Sequence, residues 1–161
     1  MTNVSETVFP ESIKMSLFDD VVGNDFQEES FGPQEGFAGV LLCSSACDGH
    51  ISGDEVQVLM MKLSRMKLYQ RVSESRFNNM MDRLMGVLKR GGPEKLLEKA
   101  HPAVPPELRE TAFANACDIV LVDGIVDDEE KEFIDNLMIK FEMDRKRAKT
   151  IVQVMVYKNH G

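Results

Sequence analysis

The chain has 161 residues, of which 43% are hydrophobic and 29% charged, a composition that fits one globular domain and excludes a disordered or fibrous protein. Its formal net charge of −8 argues against nucleic-acid binding, because phosphate contacts need basic residues. With only 3 cysteines, no secretory signal pattern and no run of ~18 apolar residues, we expect no disulfide framework, no membrane span and a cytoplasmic location.

Residues 1–34 have the character of an acidic leader. They hold seven acidic residues and one basic residue, Lys14, so their net charge is −6 and that of residues 35–161 is −2. Apolar residues at positions 13, 17 and 21 have helical spacing and predict one short helix in an otherwise irregular segment. We therefore predict a leader over 1–34 and a helical domain over 35–161.

Apolar residues from position 34 onward recur at helical spacing, and no stretch alternates long enough to form a strand. Asp-Gly pairs and a Gly-Gly-Pro sequence, which usually break helices, separate the helical stretches. The predicted fold class is all-α, with about seven helices. They cover 34–47, 53–67, a stretch from Ser73 to the Gly91-Gly92-Pro93 stop, 93–101, 105–122, 127–141 and a last stretch from Asp144.

An internal repeat relates the two halves of the helical region. The segment from Asp48 to Glu55 matches the segment from Asp123 to Glu130 at an offset of 75 positions. Further along, the second copy is four residues shorter than the first, and with this gap Ser73 aligns with Asp144. Each half is thus a helix–(Asp-Gly turn)–helix–helix unit, and we expect the two units to pack about a pseudo-twofold axis.

Both Asp-Gly turns have a structural interpretation that needs no ligand. Ser52 with Glu55, and Asp127 with Glu130, have the spacing of capping boxes, in which each side chain accepts a hydrogen bond from the backbone of the other residue. The glycine of each turn permits a backbone conformation that other residues resist.

The same turns also resemble the second half of a calcium-binding loop, with a glycine after the aspartate and a glutamate seven residues beyond it. The acidic residues of the first half of such a loop are missing, so carboxylates from both turns would have to converge. Hard oxygen ligands favour Ca²⁺ or Mg²⁺ over zinc. The candidate metal ligands are Asp48, Glu55, Asp123, Asp127 and Glu130.

These turns carry a resemblance to the TerB-like tellurite-resistance family. The matching residues run from Ala46 to Ser52 with Glu55, and from Val122 to Asp127 with Glu130, and the resemblance extends over roughly 35–160. It implies a compact helical bundle, acidic turns that bind divalent cations, and a role in resistance to tellurite and other stresses through membrane-associated complexes. It implies no reaction.

A basic stretch, which includes Arg145, Arg147 and Lys149, follows the second acidic turn. It is either a solvated helix face or a docking surface for an acidic partner or a membrane headgroup layer. Two further features have no catalytic pattern. Asp118, in an apolar helical stretch, is expected to accept a buried hydrogen bond or to support the Asp123 turn. Cys43 and Cys47, four residues apart, are expected to be buried structural thiols rather than metal ligands.

No nucleophile–base pair, phosphate-binding loop or zinc motif is present, so we expect no enzyme activity. The predicted function is that of a non-catalytic stress-response module that holds a divalent cation weakly and docks a protein partner, such as a membrane-associated stress complex. The alternative is a metal-free structural adaptor or co-chaperone-like interaction domain, in which the turns act as capping boxes only. A homo-oligomer is compatible with either.

Overall fold

The structure, a computed structural model, describes residues 30–161, and Phe31–Gly161 form one unit. This range contains six α-helices and no strand, which confirms the all-α prediction. The predicted short helix over 13–21 lies outside the described residues, as does most of the predicted leader. The helices are α1 (Pro33–Ser45), α2 (Gly53–Ser64), α3 (Glu74–Ala100), α4 (Pro106–Leu121), α5 (Asp128–Lys140) and α6 (Arg145–Lys158).

Six helices rather than seven are found because the predicted helix over 93–101 is continuous with α3. The Gly91-Gly92-Pro93 sequence does interrupt the helix, since Gly92 has φ 80° and ψ 175°. The chain resumes helical geometry directly afterwards, because proline is tolerated in the first turn of a helix. The result is two helical segments, 74–91 and 93–100, that meet at a sharp kink with no loop between them.

Helix α1 is the centre of the fold. Its residues from Gly36 to Ser44 are all buried, and it packs against α2, α3 and α4. No charged residue occurs between Glu35 and Asp48, and a helix that is apolar on all sides is buried on all sides. None of the helices within residues 30–161 combines the length and apolar character that a membrane crossing would need.

Small residues let α1 approach the end of α3 closely. A Cβ at Gly39 would lie 2.8 Å from the Cβ of Ala100, and a Cβ at Gly36 would lie 2.7 Å from the Cβ of Ala103. These distances are too short for real side chains, so the glycines are required by the packing rather than by the backbone conformation.

Two helix pairs run in parallel, namely α1 with the part of α3 before Gly92, and α4 with α6. Arg83 of α3 pairs with Glu35 near the start of α1, and the Cys43 thiol near the end of α1 donates to the carbonyl of Pro93. In the other pair, Arg147 near the start of α6 contacts Glu110 of α4, and Lys158 at the end of α6 contacts Asp118. Helix α4 packs against α1, α5 and α6 and so joins the two pairs.

Candidate functional site

The first Asp-Gly turn connects α1 to α2. Gly49 has φ 90°, a left-handed conformation that favours glycine, and its N–H donates to the carbonyl of Ala46 at 2.9 Å. The exposed carboxylate of Asp48 accepts a hydrogen bond from the backbone N–H of His50 at 3.0 Å. Asp48 therefore stabilises its own turn and keeps further lone pairs open to solvent.

The second Asp-Gly turn connects α4 to α5 in the same way. Gly124 has φ 72°, and its N–H donates to the carbonyl of Leu121 at 3.0 Å. Asp123, the aspartate of this turn, is exposed. The glycine requirement inferred from the sequence is confirmed in both turns.

Both predicted capping boxes are formed. The Glu55 N–H donates to the Ser52 hydroxyl at 3.2 Å, and the Ser52 N–H donates to the Glu55 carboxylate at 3.0 Å. At α5 the corresponding distances are 2.8 Å from the Glu130 N–H to Asp127 and 3.3 Å from the Asp127 N–H to Glu130. Three of the five candidate metal ligands, Glu55, Asp127 and Glu130, thus already satisfy backbone donors at helix starts.

The two turns influence each other electrostatically. Burial raises the pKa of Glu130, and the negative charges of Asp127 and of Asp48, from the other turn, add to the rise. Burial likewise raises the pKa of the Cys47 thiol to about 12, with further contributions from Glu130, Asp48 and Asp127. Asp48, Asp127 and Glu130 therefore lie within electrostatic reach of one another. Of the five candidate ligands, Glu130 is partly buried and the other four are exposed.

A cavity of about 350 Å³ lies between the first turn and α5, with Asp48 on one side and Glu129 and Glu132 on the other. Within residues 30–161, no group of three or more His, Cys, Asp or Glu side chains is arranged to hold a metal ion. The divalent-cation site stays a prediction, one that would have to rest on fewer carboxylates than the five named from the sequence.

The three predicted partner-binding residues fall into two environments. The Arg147 side chain forms an ion pair with Glu110 at 3.2 Å. The backbone N–H of Arg147 donates to the Asp144 carboxylate, the N-cap of α6, at 3.1 Å. Arg145 and Lys149 instead line a cavity of about 270 Å³. Within residues 30–161 their side chains form no ion pair, so their charges remain available.

This cavity, called the α6 cavity below, is bounded by α4, α5 and α6. Phe113 on α4 lies at the base of the cavity and is buried, while the basic residues and Asp135 are exposed. An apolar surface with a few charged groups beside it is the usual character of a binding site. The side chains that line it are Phe113, Ile134, Asp135, Met138, Arg145, Ala148, Lys149 and Val152.

Asp118 joins three helices, and the sequence did not reveal its partners. Its carboxylate accepts hydrogen bonds from Lys62 at 2.8 Å, Lys158 at 2.8 Å and Asn159 at 2.9 Å. Burial alone would raise the pKa of Asp118, but these three hydrogen bonds outweigh it and hold the pKa well below its usual range. The first of the two roles expected for Asp118, acceptance of hydrogen bonds, is confirmed.

The three cysteines are free thiols. Cys43 and Cys117 are buried, whereas Cys47, which was expected to be buried, is only partly so. Burial raises the pKa of Cys43 and of Cys117, which disfavours their thiolate forms.

A comparison with family models, with curated proteins and with solved structures finds no match to this chain.

Proposed function

We propose that the chain is a non-catalytic, TerB-like interaction module of a stress response, and that it docks a protein partner at the start of α6. One observation carries this proposal. Arg145 and Lys149 are exposed, and both line a cavity whose other walls are largely apolar. Interfaces combine an apolar centre with charged groups at the rim, and a basic rim selects an acidic partner.

We also propose that the module consists of two repeated units, α1–α3 and α4–α6. The support is the agreement between sequence and local geometry. Gly49 and Gly124 both have positive φ, capping boxes open both α2 and α5, and Ser73 and Asp144 both cap the helix that follows. The parallel pairing of α1 with α3 and of α4 with α6 fits the same division.

The docking proposal is tested by two charge-neutralising double variants of one helix. Arg145→Gln/Lys149→Gln removes the two cations at the α6 cavity, and Lys146→Gln/Arg147→Gln removes two neighbouring cations that do not line it. Tagged chains are purified from cells that express them, and the proteins retained by each are quantified. We expect partner retention to fall in the first variant and to persist in the second. Equal retention in all three chains would refute the proposal.

The stress-response part of the proposal has a separate test. Cells that lack the chain should grow more poorly than wild type in the presence of tellurite, and the wild-type chain should restore growth. The Arg145→Gln/Lys149→Gln chain should not restore it. Growth that is indifferent to the chain would remove the tellurite-resistance assignment and leave the docking proposal standing.

A second candidate function is weak binding of Ca²⁺ or Mg²⁺ between the two acidic turns. The observation that favours it is that Asp48 of the first turn lines one cavity together with Glu129 and Glu132 of α5. The charge of Asp48 also acts on Glu130, at the start of the same helix. Mg²⁺ keeps several waters and needs only one or two protein carboxylates, so a complete cage is not required. A cation there would relieve the repulsion between these groups.

Calorimetric titration with each metal alone tests this second function. We expect weak binding in wild type that is lost in Asp48→Asn and kept in Asp54→Asn, since Asp54 lies in the first turn of α2 rather than in the Asp-Gly turn. If wild type gives no heat at millimolar metal, the metal-free adaptor is the better description, and the completed capping boxes account for the acidic residues.

A further inference from the structure

The α6 cavity lies beside a position of α6 whose equivalent in α3 carries an aromatic side chain. Ser73 caps α3 and Asp144 caps α6, each through its side chain. The fourth residue after the cap closes the first helical turn in both cases, through N–H···O bonds of 2.9 Å from Phe77 to Ser73 and from Ala148 to Asp144. Equivalent backbone positions therefore carry Phe in α3 and Ala in α6.

At α3, this aromatic side chain fills the space against the neighbouring elements. The ring of Phe77 packs edge-on against Tyr69 with centroids 5.7 Å apart, and Tyr69 packs in turn on Phe37 at 6.5 Å. One turn further along α3, Met81 is 2% exposed. The first half of the domain thus buries its own bulky side chains at this place.

At α6 both positions carry smaller residues, Ala148 and Val152, and a cavity of about 270 Å³ is left open between α4, α5 and α6. The cavity is open to solvent on one side, and its accessible lining is more apolar than polar. A bulky apolar group that entered it would therefore be partly removed from water.

The charges beside the cavity indicate which residues must flank the inserted apolar group. Arg145 and Lys149 are four residues apart on α6, and like charges at this spacing repel each other. Neither forms an ion pair within the part of the chain that the structure describes. Asp135 is the one acidic residue in the lining, so the set has one positive charge in excess. Carboxylates from outside would complete it.

We infer that the α6 cavity accepts one aromatic or large aliphatic side chain from an acidic segment of a partner protein, in the place that Phe77 occupies on α3. Carboxylates that flank the inserted side chain pair with Arg145 and Lys149. This inference rests on the proposed docking function and names the chemistry of the partner. A single buried anchor surrounded by polar contacts is a common way for a short segment to bind.

An anionic membrane is the less suitable occupant. Residues 35–161 carry a net charge of −2, and binding to lipid head groups relies on clusters of basic residues spread over a surface. Here two basic residues face one acidic residue around a recess that holds one side chain. The recess selects for shape as well as charge, and a fluid headgroup layer presents no such anchor.

Three synthetic peptides test the inference with the full-length chain. The first carries a central Phe flanked by Glu, the second replaces that Phe with Ala, and the third replaces the flanking Glu with Lys. We expect the first to bind, and the Ala and Lys peptides to bind about tenfold more weakly or worse, because each loses either the buried ring or the ion pairs. Fluorescence anisotropy gives the three Kd values.

A variant that fills the cavity from within gives the second part of the test. Ala148→Phe should restore the arrangement found at Phe77 and weaken binding of the Phe peptide by about tenfold or more. Thr150→Phe, which places the same side chain on an exposed site of α6, should bind like wild type. Should Ala148→Phe fail to fold, Val152→Met, which introduces the residue found at the equivalent place in α3, provides the same comparison.

Several outcomes would overturn the inference. They are the absence of binding of the Phe peptide at millimolar concentration, equal binding of the Phe and Ala peptides, undiminished binding by the filled variant, and binding of phosphatidylserine-containing vesicles in place of the peptide. If Arg145→Gln/Lys149→Gln loses its partner in cells while Ala148→Phe keeps it, the docking function stands and the inserted side chain is refuted.

Discussion

Lys62 and Asp118 lie 56 positions apart in the sequence, yet the Nζ atom of Lys62 is 2.8 Å from Oδ2 of Asp118. The other carboxylate oxygen accepts from Lys158 and Asn159, at 2.8 Å and 2.9 Å. The Asp118 side chain is 14% exposed, so these contacts are only partly screened by water. One carboxylate thus ties α2 and α6 to α4 at the end of the domain away from the α6 cavity.

Replacing this carboxylate should destabilise the domain. Asp118→Asn keeps the size of the side chain but removes the charge, and it leaves two ammonium groups beside a neutral amide. We expect the free energy of unfolding to fall by about 1–2 kcal/mol, the scale of charged hydrogen bonds that are partly buried. Urea denaturation followed by circular dichroism measures the change.

Glu110→Gln is the matched control, because it removes a carboxylate that also pairs with α6 but is 50% exposed. Exposed ion pairs contribute little, so this variant should stay within about 0.5 kcal/mol of wild type. If the two variants are equally stable, Asp118 has no special part in holding the three helices.

The contribution of Asp118 should also depend on pH in one direction. The unfolded chain has a pKa of about 3.9 for aspartate, and the folded chain holds the pKa of Asp118 below that value. The stabilisation is therefore fully present above the unfolded pKa and is lost as pH falls toward the folded pKa. The stability difference between wild type and Asp118→Asn should be constant from pH 7 to about pH 5 and smaller at about pH 3. A difference that stays constant or grows at acid pH would contradict this assignment.

The proximity of the two acidic turns can be measured through Glu130. Burial, together with the charges of Asp127 and Asp48, raises the pKa of Glu130. Asp48→Asn should lower that pKa while leaving it above the ordinary value, because burial and Asp127 remain. A pH titration of the Glu130 carboxyl carbon by NMR reports the shift, with Asp54→Asn as the control that should leave it unchanged. An identical pKa in wild type and Asp48→Asn would mean that the turns do not face each other.

Local signals in the sequence were sufficient for the helices and their starts. Ser52, Ser73, Asp127 and Asp144 are caps whose effect reaches only a few residues along the chain, and the structure has a side-chain cap at each. The absence of charge between Glu35 and Asp48 is also a local feature, and it accounts for the burial of α1.

Contacts between distant parts of the chain could not be predicted in the same way. Periodicity marked Asp118 as unusual but carries no information on which of many lysines would reach it. The α6 cavity could not be predicted from the sequence for a related reason. Val152 and Ala148 have the correct spacing for a core face, and only the packed structure shows that their combined volume leaves a gap. Arg147 was grouped with Arg145 by sequence proximity, but its pairing with Glu110 separates them.

The kink in α3 provides a test of backbone conformation alone. Gly92 has φ 80° and ψ 175°, and no atom lies within 4 Å of the position that a Cβ would take. Gly92→Ala therefore meets no steric clash with neighbours but forces a left-handed conformation on alanine, and we expect a loss of about 1–3 kcal/mol in unfolding free energy. Chemical denaturation measures it.

Gly53→Ala is the matched control, because it too has open space around the added Cβ but has no positive φ. Alanine there should be neutral or stabilise the domain by up to about 1 kcal/mol, since it reduces the freedom of the unfolded chain. If Gly92→Ala is as stable as Gly53→Ala, α3 runs straight through the Gly-Gly-Pro sequence in solution. Leu96 and Leu97, which are buried beyond the kink, would then have to be packed in another way.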